Sequence, residues 1–219
     1  MTQIVTRAAS QPARLGEGAP LILGIGGTLR PTSSSERALA ACLEAVRDAG
    51  GRTVSIVGRE LDLPPYEPGM ELDERARRLI SAFRQCDGVV ISCPSYHGGI
   101  SGLLKNAIDY TEEMARDERP YLADRPVGLI VCAAGWQGVG TTLSGLRSIV
   151  HALRGWPTPL GAGLNTAERD PQFRATLTDK EQWQLREVAR DVVGFAMRQR
   201  QAAHAVMQEP RRAAAGGGA

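Results

Sequence analysis

Cysteine is scarce in this chain, and the four present, Cys42, Cys86, Cys93 and Cys132, stand far apart. No C-x-x-C pair occurs and no histidine lies at ligand spacing, so no metal site is expected; the pattern fits reduced, mostly buried thiols in a cytosolic protein. An excess of one charge is missing too. A formal net charge of +2 leaves no broad basic footprint, which excludes the usual surface of a nucleic-acid binder. No stretch reaches the roughly 18 to 20 apolar residues that a membrane span needs. Residues 1–20 are polar, carry Arg7 and Arg14, and have no apolar segment of the kind a secretory leader requires. Nor is there a Ser-His-Asp or Cys-His set for nucleophilic chemistry, so no side chain is expected to be catalytic in that sense.

What the chain does have is regular alternation. At 219 residues it can bury one substantial core, and a single domain is expected. Residues 1–20 read as a flexible arm, 21–207 as the domain, and 208–219, rich in alanine and glycine, as a disordered tail. Buried strands are expected at Leu21–Gly26, Thr53–Val57, Gly88–Cys93 and Pro126–Ala133, with a weaker fifth at Pro159–Leu164. Between them lie amphipathic helices: one capped by Ser33 or Ser35 and stopped at Gly50-Gly51, one striped by Leu72, Ala76, Leu79, Ile80 and Phe83, and one starting at Ser101. A fourth runs from about Thr141 to Leu153, and a long last helix from Asp179 to about Met207. Pro64, Pro65 and Pro68 make Leu61–Gly69 a loop. The class is therefore α/β: a five-stranded parallel sheet with helices on both faces, a three-layer sandwich. Strand order 2-1-3-4-5 puts the ends of strands one and three at a switch point, where such sheets bind ligands.

Two loops sit at those ends. The first runs from Gly26 through Gly27, Thr28, Leu29, Arg30, Pro31 and Thr32 to Ser33, Ser34 and Ser35. A dinucleotide fingerprint would need glycine at position 29, where leucine stands, and no lysine is near to make a P-loop. What remains is a hydroxyl-rich turn at a helix N-terminus, suited to a dianionic monophosphate, with Arg30 able to add a charge-assisted contact. The plainer alternative is a serine-rich turn that only caps the helix. The second loop is Pro94-Ser95-Tyr96-His97-Gly98-Gly99-Ile100-Ser101. Its glycines let a flat ligand approach the backbone, and Tyr96 can stack on a ring. Together the loops point to flavin mononucleotide, FMN. His97 reads either as an acid or base or, more plainly, as a loop histidine that packs. Lys105 and Asp109, four apart, read as a structural pair. The glycine loop Gly135–Gly140 can close over the ring's other edge; Trp136 serves that role or an interface equally well.

At these residues the chain resembles the NAD(P)H-dependent FMN reductase family of the flavodoxin-like superfamily. Residues 27–35 resemble its G-S-x-R-x-x-S loop, with Thr28 in place of serine, and residues 94–110 follow its P-x-Y-N/H-x-x-I-x-G-x-L-K-N-A-I-D-W segment almost throughout. The resemblance covers roughly Leu21 to Leu164. It implies that Thr28, Arg30, Ser33 and Ser35 hold the FMN phosphate. It implies that Pro94, Ser95, Tyr96, His97 and Gly98 contact the ribityl chain and isoalloxazine, with Gly135, Trp136 and Gln137 near the ring. NADPH or NADH would supply hydride, and electrons would leave as reduced flavin or pass to a quinone, azo compound or metal oxyanion. A homodimer or homotetramer in the cytoplasm is expected. Two other readings stay open: a flavoenzyme with tightly bound FMN acting on one organic substrate, and a flavodoxin-type electron carrier.

Overall fold

The computed structural model describes residues 18–167 and 176–215, with side chains to residue 203. Most of the expected N-terminal arm, and residues 216–219 of the expected tail, lie outside the described residues. The elements in chain order are β1 (Leu21–Ile25), α1 (Ser34–Asp48), β2 (Arg52–Ile56), α2 (Glu74–Gln85), β3 (Gly88–Tyr96), β4 (Gly99–Ile100) and α3 (Gly102–Asp109). They continue with β5 (Pro126–Ala133), α4 (Trp136–Ala152), β6 (Trp156–Pro157), β7 (Ala162–Asn165) and α5 (Asp179–Ala215). Short 3-10 turns occupy Gly58–Leu61 and Tyr110–Met114.

The sheet runs β2-β1-β3-β5, with β6 and β7 both paired to the outer side of β5, and all of these pairs are parallel. This is the expected order, but the sheet has seven strands where five were expected. One extra strand, β4, is the return of a hairpin and pairs antiparallel with β3. The other arises because the fifth strand is split: Val127 aligns with Pro157 and Ile130 with Ala162, so five steps on the edge oppose three on β5. Pro157 and Pro159 have no N–H to give a ladder. Arg147 of α4 takes the displaced carbonyls, donating from Nη1 to Thr158 O and from Nη2 to Pro159 O, each at 2.9 Å. Thr158 still donates its N–H to Val127 O at 3.0 Å, which marks the last rung before the split.

Alternation along the central strands sends side chains to two faces. Ile22, Val90 and Ile130 face α1 and α5, packing against Leu39, Cys42, Val46, Leu185, Val188 and Val192. Leu23, Ile25, Val89, Ile91, Leu129 and Val131 face α2, α3 and α4, meeting Leu79, Phe83, Leu104, Ile108, Leu146 and Val150. Each such side chain removed from water contributes about 1.5–3 kcal/mol, which is why the helices lie where their stripes lie. The four cysteines are all buried and none is in a disulfide. Burial pushes the Cys42 thiol up to about 12 and those of Cys86 and Cys93 up to about 11.

Two charged anchors hold the amino end of the sheet. Asp87 accepts the Leu21 N–H at 2.8 Å and Arg200 Nη1 at 3.0 Å, tying α5 to the start of β1 and β3. Arg125 is 1% exposed and donates to four carbonyls, Cys86 O at 3.1 Å, Arg84 O at 3.2 Å, and Tyr121 O and Ala123 O at 3.3 Å. Its guanidinium satisfies the carboxyl end of α2, and burial lowers its pKa. Helix α5 is helical to Ala215, past the end expected near Met207. No helix among the described residues is long and apolar enough to cross a membrane.

Candidate functional site

Helices α1, α3 and α4 all begin where β1, β3 and β5 end, so three helix N-termini share the carboxyl edge of the sheet. The β1–α1 turn is built around hydroxyls. Ser33 caps α1, its Oγ accepting the Glu36 N–H at 3.1 Å, and Thr28 Oγ1 accepts the Arg30 N–H at 3.1 Å. Ser33 and Ser35 share a hydroxyl contact at 3.1 Å. A hydroxyl that accepts from the backbone keeps its own proton to donate elsewhere. The amides of Leu29, Thr32, Ser34 and Ser35 have no acceptor among the described residues. Arg30 is exposed and makes no hydrogen bond or ion pair through its side chain among the described residues. Thr28 and Ser35 are buried within the turn, at 8% and 1% exposure.

The second segment is more ordered than a loop. Strand β3 continues to Tyr96, and Ser95 and Tyr96 pair with Ile100 and Gly99. His97 (φ 53°) and Gly98 (φ 77°) make the two-residue turn, the left-handed pair that a tight hairpin requires. Asn, Asp and His tolerate this region better than most residues, and glycine takes it freely. Tyr96, His97 and Gly98 are exposed, Tyr96 at 57%. Ser95 points the other way and accepts the Thr142 Oγ1 hydroxyl at 2.8 Å, while a Cβ on Gly138 would lie 3.2 Å from Ser95 Oγ. Pro94 is half-buried.

Two buried hydroxyls fasten the segments together. Ser92 Oγ donates to Ser35 O at 2.8 Å, and Ser101 Oγ donates to Gly27 O at 2.7 Å while accepting the Leu104 N–H at 3.2 Å. Gly27 has no room for a side chain: a Cβ there would lie 2.8 Å from Pro94 Cδ and 3.1 Å from Ser92 O. Thr28, Arg30, Ser33, Ser35, Pro94, Tyr96, His97 and Gly98 thus belong to one neighbourhood. Sequence reasoning missed Ser92 and Ser101 as its fasteners; the signal for Ser101 was its position as a helix cap. Asn106 was also missed. It accepts the Tyr66 N–H at 2.8 Å and donates to Leu63 O and Pro64 O, so the K-N-A-I-D segment pins the proline loop. Lys105 and Asp109 form an exposed pair within α3, at 2.6 Å.

The third element differs from expectation. Trp136 to Gly140 are the opening turns of α4, where a loop was expected, because only Gly135 needs an unusual backbone (φ 139°) and serves as the cap. Trp136, 49% exposed, turns toward β7 and α5: a Cβ on Gly163 would lie 3.8 Å from its ring, and Lys180 Nζ sits 5.8 Å from its centre. Gln137 is exposed, and its carbonyl accepts the Thr141 hydroxyl. Among the described residues no cluster of histidine, cysteine or carboxylates could hold a metal.

Residues 20–168 match the family model described as NADPH-dependent FMN reductase. The chain belongs to that family. It is 36% identical over 129 residues to an FMN-dependent NADPH-azoreductase of Staphylococcus haemolyticus, an alignment covering 58% of this chain and 65% of that one. Other curated relatives are matched over about half their length. Among solved structures, RosB with bound 8-demethyl-8-formylriboflavin-5′-phosphate superposes with a TM-score of 0.70 at 16% identity, covering 89% of this chain and 87% of that one. A flavodoxin, WrbA-like protein from Agrobacterium tumefaciens gives 0.58 at 14% identity, covering 83% and 99%. The fold is flavodoxin-like.

Proposed function

We propose that this chain is an NAD(P)H-dependent flavin reductase that binds FMN across the carboxyl edge of its sheet and passes electrons to a small acceptor. One observation carries the reading: the donor-rich N-terminus of α1 and the exposed Tyr96–Gly99 hairpin are held side by side by Gly27, Ser92 and Ser101. The donor set fits the group. Open amides at Leu29, Thr32, Ser34 and Ser35, hydroxyls at Thr28, Ser33 and Ser35, and the uncommitted Arg30 suit a dianion. The hairpin presents backbone N–H groups of His97 and Gly98 and the Tyr96 ring, which suit a flat heterocycle with acceptor atoms on its rim.

When bound, FMN supplies a ring that takes up hydride from a nicotinamide and hands electrons on. The chain's part is to position and to exclude. Arg30 and the α1 amides fix the phosphate. Pro94 and Ser95 flank the ribityl path, and Ser95 is stiffened by Thr142. Tyr96, His97 and Gly98 donate to and cover one rim, with Gly135, Trp136 and Gln137 beside the other. No side chain acts as a nucleophile, and the nicotinamide donor is NADPH or NADH. The acceptor is a small molecule, and the protein works in the cytoplasm as a homodimer or homotetramer. Purified protein should take up FMN, seen as a perturbed flavin absorbance band, and oxidise NADPH or NADH when FMN is supplied. An unchanged flavin spectrum at saturating protein, with no NAD(P)H turnover by any acceptor, overturns the proposal.

A further inference from the structure

Ser33-x-x-Glu36 is a capping-box sequence, in which the glutamate normally reaches back to the N–H of the capping serine. Only half of that box forms. Ser33 Oγ accepts the Glu36 N–H, but the Ser33 N–H donates to Arg30 O at 3.2 Å. The Glu36 carboxyl is instead turned behind the phosphate turn. Its Oε1 would lie 2.7 Å from a Cβ placed on Gly26, is buried, and has no hydrogen-bond partner among the described residues; the Gly58 N–H faces the same group. One oxygen of a half-buried carboxyl is thus packed against Gly26 inside the first turn of the helix whose amides are open to an anion, with Val57 and Gly58 beside it.

We infer that Glu36 is the proton acceptor of this site: when the turn takes up the FMN phosphate, Glu36 binds a proton, so that flavin affinity is coupled to pH. The inference rests on the phosphate assignment proposed above. Its physics is linkage. A dianion seated within about one helical turn disfavours a second negative charge, and desolvation has already raised the Glu36 pKa, with only the Gly58 N–H acting to lower it. Among the described residues no charged group pairs with the Glu36 carboxyl. On α1, Arg37 is directed to Thr32 O and Ser34 Oγ; after β2, Arg59 pairs with Asp62 and Glu60 with Arg78. On the β1 side the neighbours are glycine backbone, and Arg30 faces the phosphate itself. The sign follows: protons bind more tightly to the complex than to the free protein, so FMN affinity from this source is greatest at low pH and is lost as pH rises through the Glu36 pKa of the complex.

The test is calorimetric titration of FMN into the full chain at pH 7 in two buffers of different ionisation enthalpy, which reads protons taken up per FMN. FMN's own phosphate also titrates near neutrality, but it is common to wild type and variant, so the difference isolates Glu36. Wild type should take up measurably more protons per FMN than Glu36→Gln, and Glu36→Gln should bind FMN more tightly than wild type at pH 8. With riboflavin, which lacks the phosphate, the two proteins should show the same proton count. Equal proton uptake with FMN by wild type and Glu36→Gln overturns the inference while leaving the flavin site intact. If the variant does not fold, absence of any proton uptake by wild type alone overturns it. Absence of FMN binding by wild type overturns the functional proposal and this inference with it.

Discussion

Replacing Ser101 with alanine tests the claim that one hydroxyl holds the two halves of the site together. The side chain is 3% exposed and makes two bonds, donating to Gly27 O at 2.7 Å and accepting the Leu104 N–H at 3.2 Å. Loss of an N-cap costs about 0.5–2 kcal/mol. The Gly27 carbonyl, left buried without its donor, costs a further ~1–3 kcal/mol. Because relaxation lets one loss partly relieve the other, about 3 kcal/mol is expected in total. For a domain of this size that lowers Tm by roughly 6–12 °C. Flavin binding adds a signature that stability alone does not. With the turn loosened, FMN affinity should fall about tenfold or more, whereas riboflavin, which does not use the α1 amides, should lose much less. Ser101→Thr keeps the hydroxyl and should recover most of both effects. Thermal unfolding with fluorescence titration of both flavins measures all three. A Tm within about 1 °C of wild type and an unchanged FMN Kd would show that the strap is not what sets the site.

Other expectations follow from single residues. Arg30→Ala removes a charge-assisted contact worth about 1.5–3 kcal/mol, so FMN should bind roughly 10- to 150-fold more weakly with no change in Tm; equal FMN affinity would place Arg30 away from the phosphate. Gly27→Ala forces a methyl to within 2.8 Å of Pro94 and 3.1 Å of the Ser92 carbonyl, so it should unfold more easily and lose FMN binding together, checked by the same two assays. Arg125→Met leaves four carbonyls without their donor, at about 1–3 kcal/mol for each that stays buried, and denaturant titration reads this directly. The cysteines give a pH dependence. The folded pKa values of Cys42, Cys86 and Cys93, about 11 to 12, exceed the unfolded value, so the stability they contribute is full below about pH 8.5 and is lost as pH rises toward 11. Denaturant midpoints measured from pH 8 to 10.5 should fall, and a variant with Cys42, Cys86 and Cys93 replaced by alanine should show a shallower decline.

Much of the architecture was legible because the physics that decides it is local. Buried parallel strands need continuous apolar runs, and Leu21–Ile25, Val89–Cys93 and Val127–Ala133 are such runs. The fifth strand was misread as one piece. Its split depends on Arg147, eleven residues away on α4, which takes the carbonyls that two prolines leave without a ladder. The loop at 135–140 was misread for a related reason. Three glycines looked like a flexible turn, but Gly138 is there to let α4 pack on Ser95, a contact that no local pattern displays. Arginine was the hardest residue type to read. Arg30 and Arg125 look alike in the sequence, yet one is exposed and the other is enclosed by carbonyls.

By itself, then, the sequence determined the class, the strand order and the chemistry of the two turns, since apolar runs, capping serines and left-handed glycines act on residues near them in the chain. Tertiary structure decided how those turns stand relative to each other. Ser92 reaches Ser35 across 57 positions and Ser101 reaches Gly27 across 74. Contacts of that span exist only once the sheet has paired β1 with β3, and so the spacing of the two turns, the burial of Glu36 Oε1 and the direction of Trp136 are properties of the folded molecule.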